Sequence, residues 1–273
     1  MFSGGIGSWA CARRVVEKFG AGDVTLLHTD TRSEHPELYR FLRDAAEDVG
    51  APLVEVADGR TIWQVFRDER FLGNSRIAPC TSKLKQAVRD RWLRDNCDPA
   101  DTVCYVGIDW TEEHRFIGHP DWTPGSKLNP GLRRSMAAKG WRFEAPMCNG
   151  APMAKWQMKE WAISRGLRLS ESYNIGLSHD NCGGGCVKAG VGHWAALWAV
   201  RPAWYLQCEA EEESLRGMLG DVTILTETVR GVTHGVTLRE LRRRMECGGE
   251  RVDMFAVGGC GCGVDEENYE SRA

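Results

Sequence analysis

Met1-Phe2-Ser3-Gly4-Gly5-Ile6-Gly7-Ser8 opens the chain, and a helical pattern follows at once. Trp9, Ala12, Val15, Val16 and Phe19 recur at the spacing of one helix face. A Gly-rich turn therefore runs straight into a helix N-terminus, an arrangement that binds phosphate. Glycines let backbone N–H groups approach an anion closely, the first amides of the helix lack partners, and the helix dipole favours negative charge. Ser3 and Ser8 add hydroxyl donors on either side. The same residues also suit an ordinary Gly-rich turn with Ser8 as N-cap.

The next segments decide between the two. Val24 to His28 reads as a short buried strand ended by Thr29-Asp30-Thr31. Pro36 opens a second helix with Leu38, Phe41, Leu42, Ala45, Ala46 and Val49 on one face. Turn, helix, strand and helix in this order predict an α/β fold: a parallel twisted sheet with helices on both faces and ligands at the strands' carboxyl ends. At this point a family comes into view. Ser3 to Ser8 resembles the pyrophosphate-binding loop (PP-loop) of the ATP pyrophosphatase, or adenine nucleotide alpha hydrolase, superfamily. Asp30-Thr31 followed by His35-Pro36-Glu37 resembles the second-strand signature of its PAPS reductase-like branch. Gly7 stands where the family pattern has Asp, a change that keeps a backbone cradle but removes a side-chain contact to Mg²⁺.

The 273 residues suit a nucleotide-binding core over 1–128, with an insertion and a helical, Cys-rich part over 129–273 packed on it. A net charge of −3 argues against a general electrostatic binder of nucleic acid. No apolar run approaches the roughly 20 residues of a membrane span, and no signal-peptide core is apparent, so a cytoplasmic location is expected. A strand should precede the phosphate loop, yet only Met1 and Phe2 stand there. The expectation is that the start lies upstream, that the first strand is very short, or that another chain supplies it.

Farther along, Leu53 to Ala57 reads as a third strand, Thr61 to Phe71 as a short helix, and Val103 to Gly107 as a fourth strand. Between the last two, Leu84, Val88, Trp92 and Leu93 mark the inner face of another helix. Residues 118 to 150 are rich in Gly and Pro without a clear period, which predicts a long loop acting as a lid. Helices are expected from Pro152 to Arg165, beyond Gly190 with Trp194, Leu197 and Trp198, at Glu209 to Leu219, and at Leu238 to Met245. A strand over Val222 to Leu225 lies between the last two.

Eleven cysteines are too few for a disulfide scaffold in a chain of this length, but they are unevenly placed. Cys182 and Cys186 form a Cys-x₃-Cys in a Gly-rich loop, and Cys260 and Cys262 a Cys-x-Cys in a Gly-rich tail. With Cys80 they make five candidates for four thiolate positions round zinc or an iron–sulfur cluster. Surface loops with incidental thiols, or a redox disulfide, are the alternatives. Cys11, Cys97, Cys104, Cys148 and Cys208 read as small core residues. The family resemblance extends here. Cys80 to Lys85 is similar to its Cys-x-x-x-(Leu/Arg)-Lys element, and Pro152, Trp161, Gly166-Leu167, Tyr173, Gly176, Cys182 and Cys186 are similar to its later stretch. Members with this cysteine set, among them APS reductases and DNA phosphorothioation enzymes, hold a [4Fe–4S] cluster. The resemblance covers roughly residues 2 to 190.

The resemblance implies ATP cleavage between the α- and β-phosphates, adenylating an acceptor that sulfur then attacks. On that basis Ser3, Gly4, Gly5, Gly7, Ser8, Asp30, Thr31 and Gly107 bind the nucleotide. Lys83, Lys85 and Arg115 meet phosphate charge developing in the transition state, Asp30 holds Mg²⁺ or the nucleotide, and Glu113 is a weaker candidate. A sulfur donor or reductant protein is the implied partner. A second implied activity is sulfonucleotide reduction, for which Glu246-Cys247-Gly248-Gly249 is a partial motif lacking the His. A third reading is a catalytically silent, metal-stapled nucleotide-binding module. Arg239 to Arg244, with Lys127, Arg133, Arg134, Lys139 and Arg142, are candidates to guide a nucleic-acid acceptor, or else simply solvated charge.

Overall fold

The structure, a computed structural model, describes residues 1–247 apart from Arg76, 149–151, Ile175, Gly176, Ser178 and Asp180. The expected roles of Gly176, Cys260, Cys262 and Gly248-Gly249 therefore lie outside the described residues. The chain is mixed α/β. Helix α1 (Ile6–Phe19) leads through a single 3₁₀ turn to β1 (Leu26–Asp30), and α2 (Pro36–Val49) crosses over to β2 (Leu53–Ala57). The two strands pair in parallel, Leu26 opposite Leu53 and Asp30 opposite Ala57. β1 starts two residues later than the apolar run at Val24, because the Val24 amide closes the turn on Ala21 O at 3.3 Å.

Helices α3 (Ile62–Asp68) and α4 (Ala87–Asn96) follow, with a π turn over Thr81–Gln86 feeding α4. β3 (Val103–Tyr105), α5 (Glu113–Ile117), α6 (Gly131–Ala138) and β4 (Arg142–Glu144) come next, and β4 lies parallel to β3. This corrects the lid expected over 118–150. Leu132, Met136 and Phe143 are buried with Leu93, Cys104 and Phe116, so the segment is wall rather than cover. Its elements are three and eight residues long, too short to print a period.

The remainder is helical: α7 (Lys155–Ser164), α8 (Glu171–Asn174), α9 (Val191–Val200), α10 (Pro202–Leu219) and α11 (Leu238–Cys247). Between the last two stands a hairpin, β5 (Leu225–Val229) with β6 (Val232–Val236), turned by Arg230 and Gly231 at φ 52° and 80°. The strand expected from Val222 starts only at Leu225, since the Ile224 amide donates to Glu212 instead. No helix of the described residues is long and apolar enough to cross a membrane.

Among the described residues the strands pair in twos. Met1 and Phe2 lie between the two parallel pairs. The Phe2 amide donates to Leu27 O of β1 at 2.7 Å, and the Met1 ammonium to Tyr105 O of β3 at 2.8 Å. Phe2 packs with Trp9 and Phe41 on the α1/α2 side, and Met1 against the cluster round Leu93.

Candidate functional site

The opening glycines have local reasons to be glycine. Gly5 caps α1 without a side-chain hydrogen bond, and the Ser8 amide and hydroxyl both donate to Gly5 O, at 3.1 and 2.8 Å. The Ile6 amide donates to the hydroxyl of Tyr173 at 3.1 Å. The amides of Gly5 and Gly7 make no hydrogen bond among the described residues. Gly7 touches Gly107 just beyond β3, where a Cβ on Gly7 would stand 2.7 Å from Gly107 O.

This loop forms one side of a cavity of about 280 Å³. Of the residues anticipated from sequence, Ser3, Gly5, Gly7, Ser8, Lys85, Gly107 and Arg115 line it. Gly4, Asp30, Thr31 and Lys83 do not. The Asp30 carboxylate accepts from Tyr39 Oη at 2.6 Å and from the Arg32 amide at 2.9 Å, with the Arg32 guanidinium 3.3 Å away. Lys83 points outward from the π turn to Glu69, 3.0 Å away. Glu113 is not among the lining residues; its neighbour Glu112 is, and accepts from Arg115 Nη1 at 2.6 Å.

Sequence reasoning missed Arg89, Lys155, His179 and Asn181, which also line the cavity. Arg89 was legible as the residue one helical turn after Lys85. Lys85, Arg89, Arg115 and Lys155 against the single lining carboxylate of Glu112 put an excess of cations on the wall, with Asp90 paired to Arg89 at 2.6 Å and Glu34 3.8 Å from Lys85 outside it.

A second, smaller void of about 10 Å³ lies behind Lys85, lined by Cys80, Cys182 and Cys186 with Thr31 and Lys188. The Cys182 loop is wound left-handed over three successive residues, Cys182, Gly183 and Gly184, at φ 55°, 63° and 89°. The Cys186 thiol is hydrogen-bonded to that of Cys182. The hydrogen bond from Cys186 lowers the Cys182 thiol, but burial beside the Glu34 carboxylate outweighs it and carries that pKa up to about 11. No three or more His, Cys, Asp or Glu side chains among the described residues form a ready-made metal-binding group.

Glu34 joins the two voids and was missed from sequence. Its buried carboxylate accepts from the Cys182 amide at 2.5 Å and from the Thr31 hydroxyl at 3.0 Å, and lies 3.8 Å from the Lys85 ammonium. Lys85 lines both voids. A second link runs through His179, whose ring stacks on His193 at 4.5 Å, while His193 Nε2 contacts Gly184 O at 2.8 Å. Burial lowers the His193 pKa, which keeps the ring neutral.

The basic residues considered for nucleic acid are largely engaged within the chain. Arg242 pairs with Glu209 at 2.8 Å, Arg244 with Glu227 at 2.6 Å and Lys139 with Asp90 at 3.3 Å. Comparison with protein-family models and with curated proteins finds no match to this chain.

Proposed function

We propose that the chain is an adenine-nucleotide-binding enzyme of the PP-loop type, cleaving ATP to AMP and pyrophosphate to activate an acceptor for sulfur transfer. One observation carries the proposal: Lys85 faces at once a cationic cavity rimmed by open glycine amides and a void lined by three cysteines. In this reading the Gly5 and Gly7 amides and the Ser3 hydroxyl hold pyrophosphate, and Lys85, Arg89 and Arg115 neutralise the charge that develops as the bond breaks. The strands about Met1-Phe2 then act as one twisted parallel sheet with helices on both faces, the loop at its carboxyl edge. Residues 1–128 form the nucleotide core, which contributes Cys80, and 129–273 the Cys-rich part packed on it. The reaction belongs to the cytoplasm.

Asp30 is engaged with Tyr39 and Arg32, and Gly7 offers no carboxylate. Mg²⁺ would therefore enter on the phosphate oxygens, with Glu112 the carboxylate lining the cavity. The thiol chemistry of Cys80, Cys182 and Cys186 fits a thiolate-held centre, with Cys260 or Cys262 the fourth ligand. A [4Fe–4S] cluster is the centre this reading assigns, and zinc is the alternative. When bound, such a cluster supplies a redox-active, sulfur-binding centre beside the nucleotide phosphates.

The test is anaerobic purification with an iron and zinc count, followed by pyrophosphate release from ATP with candidate acceptors. Iron with pyrophosphate release supports the proposal. Sulfite from adenosine phosphosulfate and thioredoxin selects the reductase instead, and tight ATP binding without turnover selects the silent module.

A further inference from the structure

The Ile6 amide stands between the two open amides of the glycine loop, and a phenol fills it. Tyr173 Oη accepts from that amide at 3.1 Å and lies 3.8 Å from where a Cβ on Gly5 would stand. The Tyr173 side chain lines the cavity, and the Lys159 ammonium sits 4.5 Å from its ring centroid. An amide on the hydroxyl and a cation on the ring thus hold α8, a single turn of helix, against the start of α1.

The same turn reaches the cysteine loop. Ser172 is fully buried and accepts from Arg201 Nη2 at 2.9 Å, while Arg201 Nη1 donates to Gly183 O at 3.1 Å. The fork of one guanidinium therefore spans α8 and the turn between Cys182 and Cys186. A second contact runs through Leu177. Its amide donates to Ser172 O at 3.1 Å, and its side chain packs on Gly184, with Cδ1 3.0 Å from where a Cβ would stand. Consecutive residues, Tyr173 and Ser172, thus engage the anion loop and the thiol loop. One helical turn is held by its tertiary contacts rather than by its own hydrogen bonds, so it moves when those contacts change.

We propose that Tyr173 is a latch that an anion releases: an anion oxygen takes the Ile6 amide from the phenol, α8 shifts, and Arg201 passes the shift to Gly183. Occupancy of the glycine loop then loosens the thiol loop. The inference rests on the anion reading given above and adds two positioning residues to it, Tyr173 acting through the Ile6 amide and Arg201 through Gly183. Exchange at the amide runs in the anion's favour, because a charge-assisted bond at a helix N-terminus is stronger than one to a neutral hydroxyl. In the proposed reaction the latch sets an order. The thiols open once the phosphates are in place, so sulfur chemistry follows activation of the acceptor.

The probe is inorganic pyrophosphate, read on the full chain by calorimetric titration and by hydrogen exchange of the peptide spanning Asn181 to Cys186. In the unsubstituted chain pyrophosphate is expected to speed exchange of that peptide about fivefold or more. Tyr173→Phe removes the competing acceptor, so it should bind pyrophosphate about two- to tenfold tighter, with exchange no longer responding to the ligand. Ser172→Ala breaks the link beyond the latch and keeps the Arg201 bond to Gly183. It should bind pyrophosphate as the unsubstituted chain does and yet lose the exchange response. A purely structural role for either residue would not tie exchange to the ligand. Weaker binding by Tyr173→Phe overturns the latch, since the phenol would then be donating to the anion. Pyrophosphate that binds without speeding exchange, or a response that survives both substitutions, overturns it too. Binding by none of the three proteins removes the anion reading itself, and the latch with it.

Discussion

Gly7 and Gly107 meet backbone to backbone: a Cβ on Gly107 would stand 2.5 Å from the carbonyl carbon and oxygen of Gly7. No side chain fits at either position without moving the start of α1 away from the end of β3. A Cβ on Gly7 would in turn stand 2.7 Å from Gly107 O, so the contact leaves no room for a carboxylate side chain there. Gly107→Ala should cost about 1–3 kcal/mol through overpacking and, on the proposed function, weaken ATP binding by opening the loop. Gly217→Ala, on the exposed face of α10 with nothing within 4 Å, should instead stabilise the chain by about 0.5–1 kcal/mol. Urea unfolding of both variants reads the contrast, and equal effects would show that the close approach carries no strain.

Two lysines on one turn make a matched pair. Lys85 is half-buried between the cavity and Glu34, whereas Lys83 is exposed beside Glu69. On the proposed function, Lys85→Met should weaken ATP binding about tenfold or more, the equivalent of ~1.4 kcal/mol. Lys83→Met should leave it unchanged, since an exposed pair is worth about 0–1 kcal/mol. Calorimetric titration with ATP at constant ionic strength separates them, and the lysine reading fails should the two variants bind alike.

The pattern of this site was partly legible in the sequence. Pro36 and the apolar stripe of α2, the glycines ahead of α1, and the spacing of Cys182 and Cys186 are local signals, and each lies where its period places it. What escaped was decided at long range. Asp30 sits at a strand end suited to a ligand, but Tyr39 and Arg32 hold its carboxylate aside. Lys83 and Lys85 differ only in which side of a π turn they leave, and no residue type announces that. Glu34 acquires its role from an amide 148 positions away, and sequence spacing cannot record such a contact.

Glu212 should make stability depend on pH. Its fully buried carboxylate accepts from the Ile224 amide at 2.9 Å and the Leu238 amide at 2.6 Å. Burial nevertheless outweighs those bonds and raises its pKa from 4.5 to about 7. A pKa raised on folding favours the protonated form, so its contribution is complete below the unfolded value and is lost as pH climbs through the folded one. The loss between pH 4.5 and 7 is of order 3 kcal/mol. Glu212→Gln should flatten that part of the profile, costing stability at pH 5 and little at pH 8. Denaturation midpoints of both proteins across this range supply the check, and parallel profiles would assign the slope to other groups.

Thiol reactivity offers a direct view of how the cysteine loop is packed. Cys247, at the end of α11, is exposed, whereas Cys182, Cys11 and Cys208 are buried. Burial raises Cys11 and Cys208 to about 12, and Cys182 reaches about 11 despite the bond from Cys186. At pH 8 a thiol with a pKa near 11 is ionised in only about one molecule in a thousand, and the thiolate is the nucleophile. Iodoacetamide on the metal-free chain should therefore modify Cys247 first, with Cys182 slower by about a hundredfold or more. Glu34→Gln removes the carboxylate that adds to burial in raising the Cys182 thiol, and weakens the acceptor that pins its amide at 2.5 Å. If electrostatics govern, the lower pKa speeds Cys182 alone; if the pinned loop governs, Cys186 and Cys80 speed with it. Peptide mass spectrometry over a time course resolves the sites, and alkylation of Cys182 as fast as Cys247 in the unsubstituted chain would refute the packed loop.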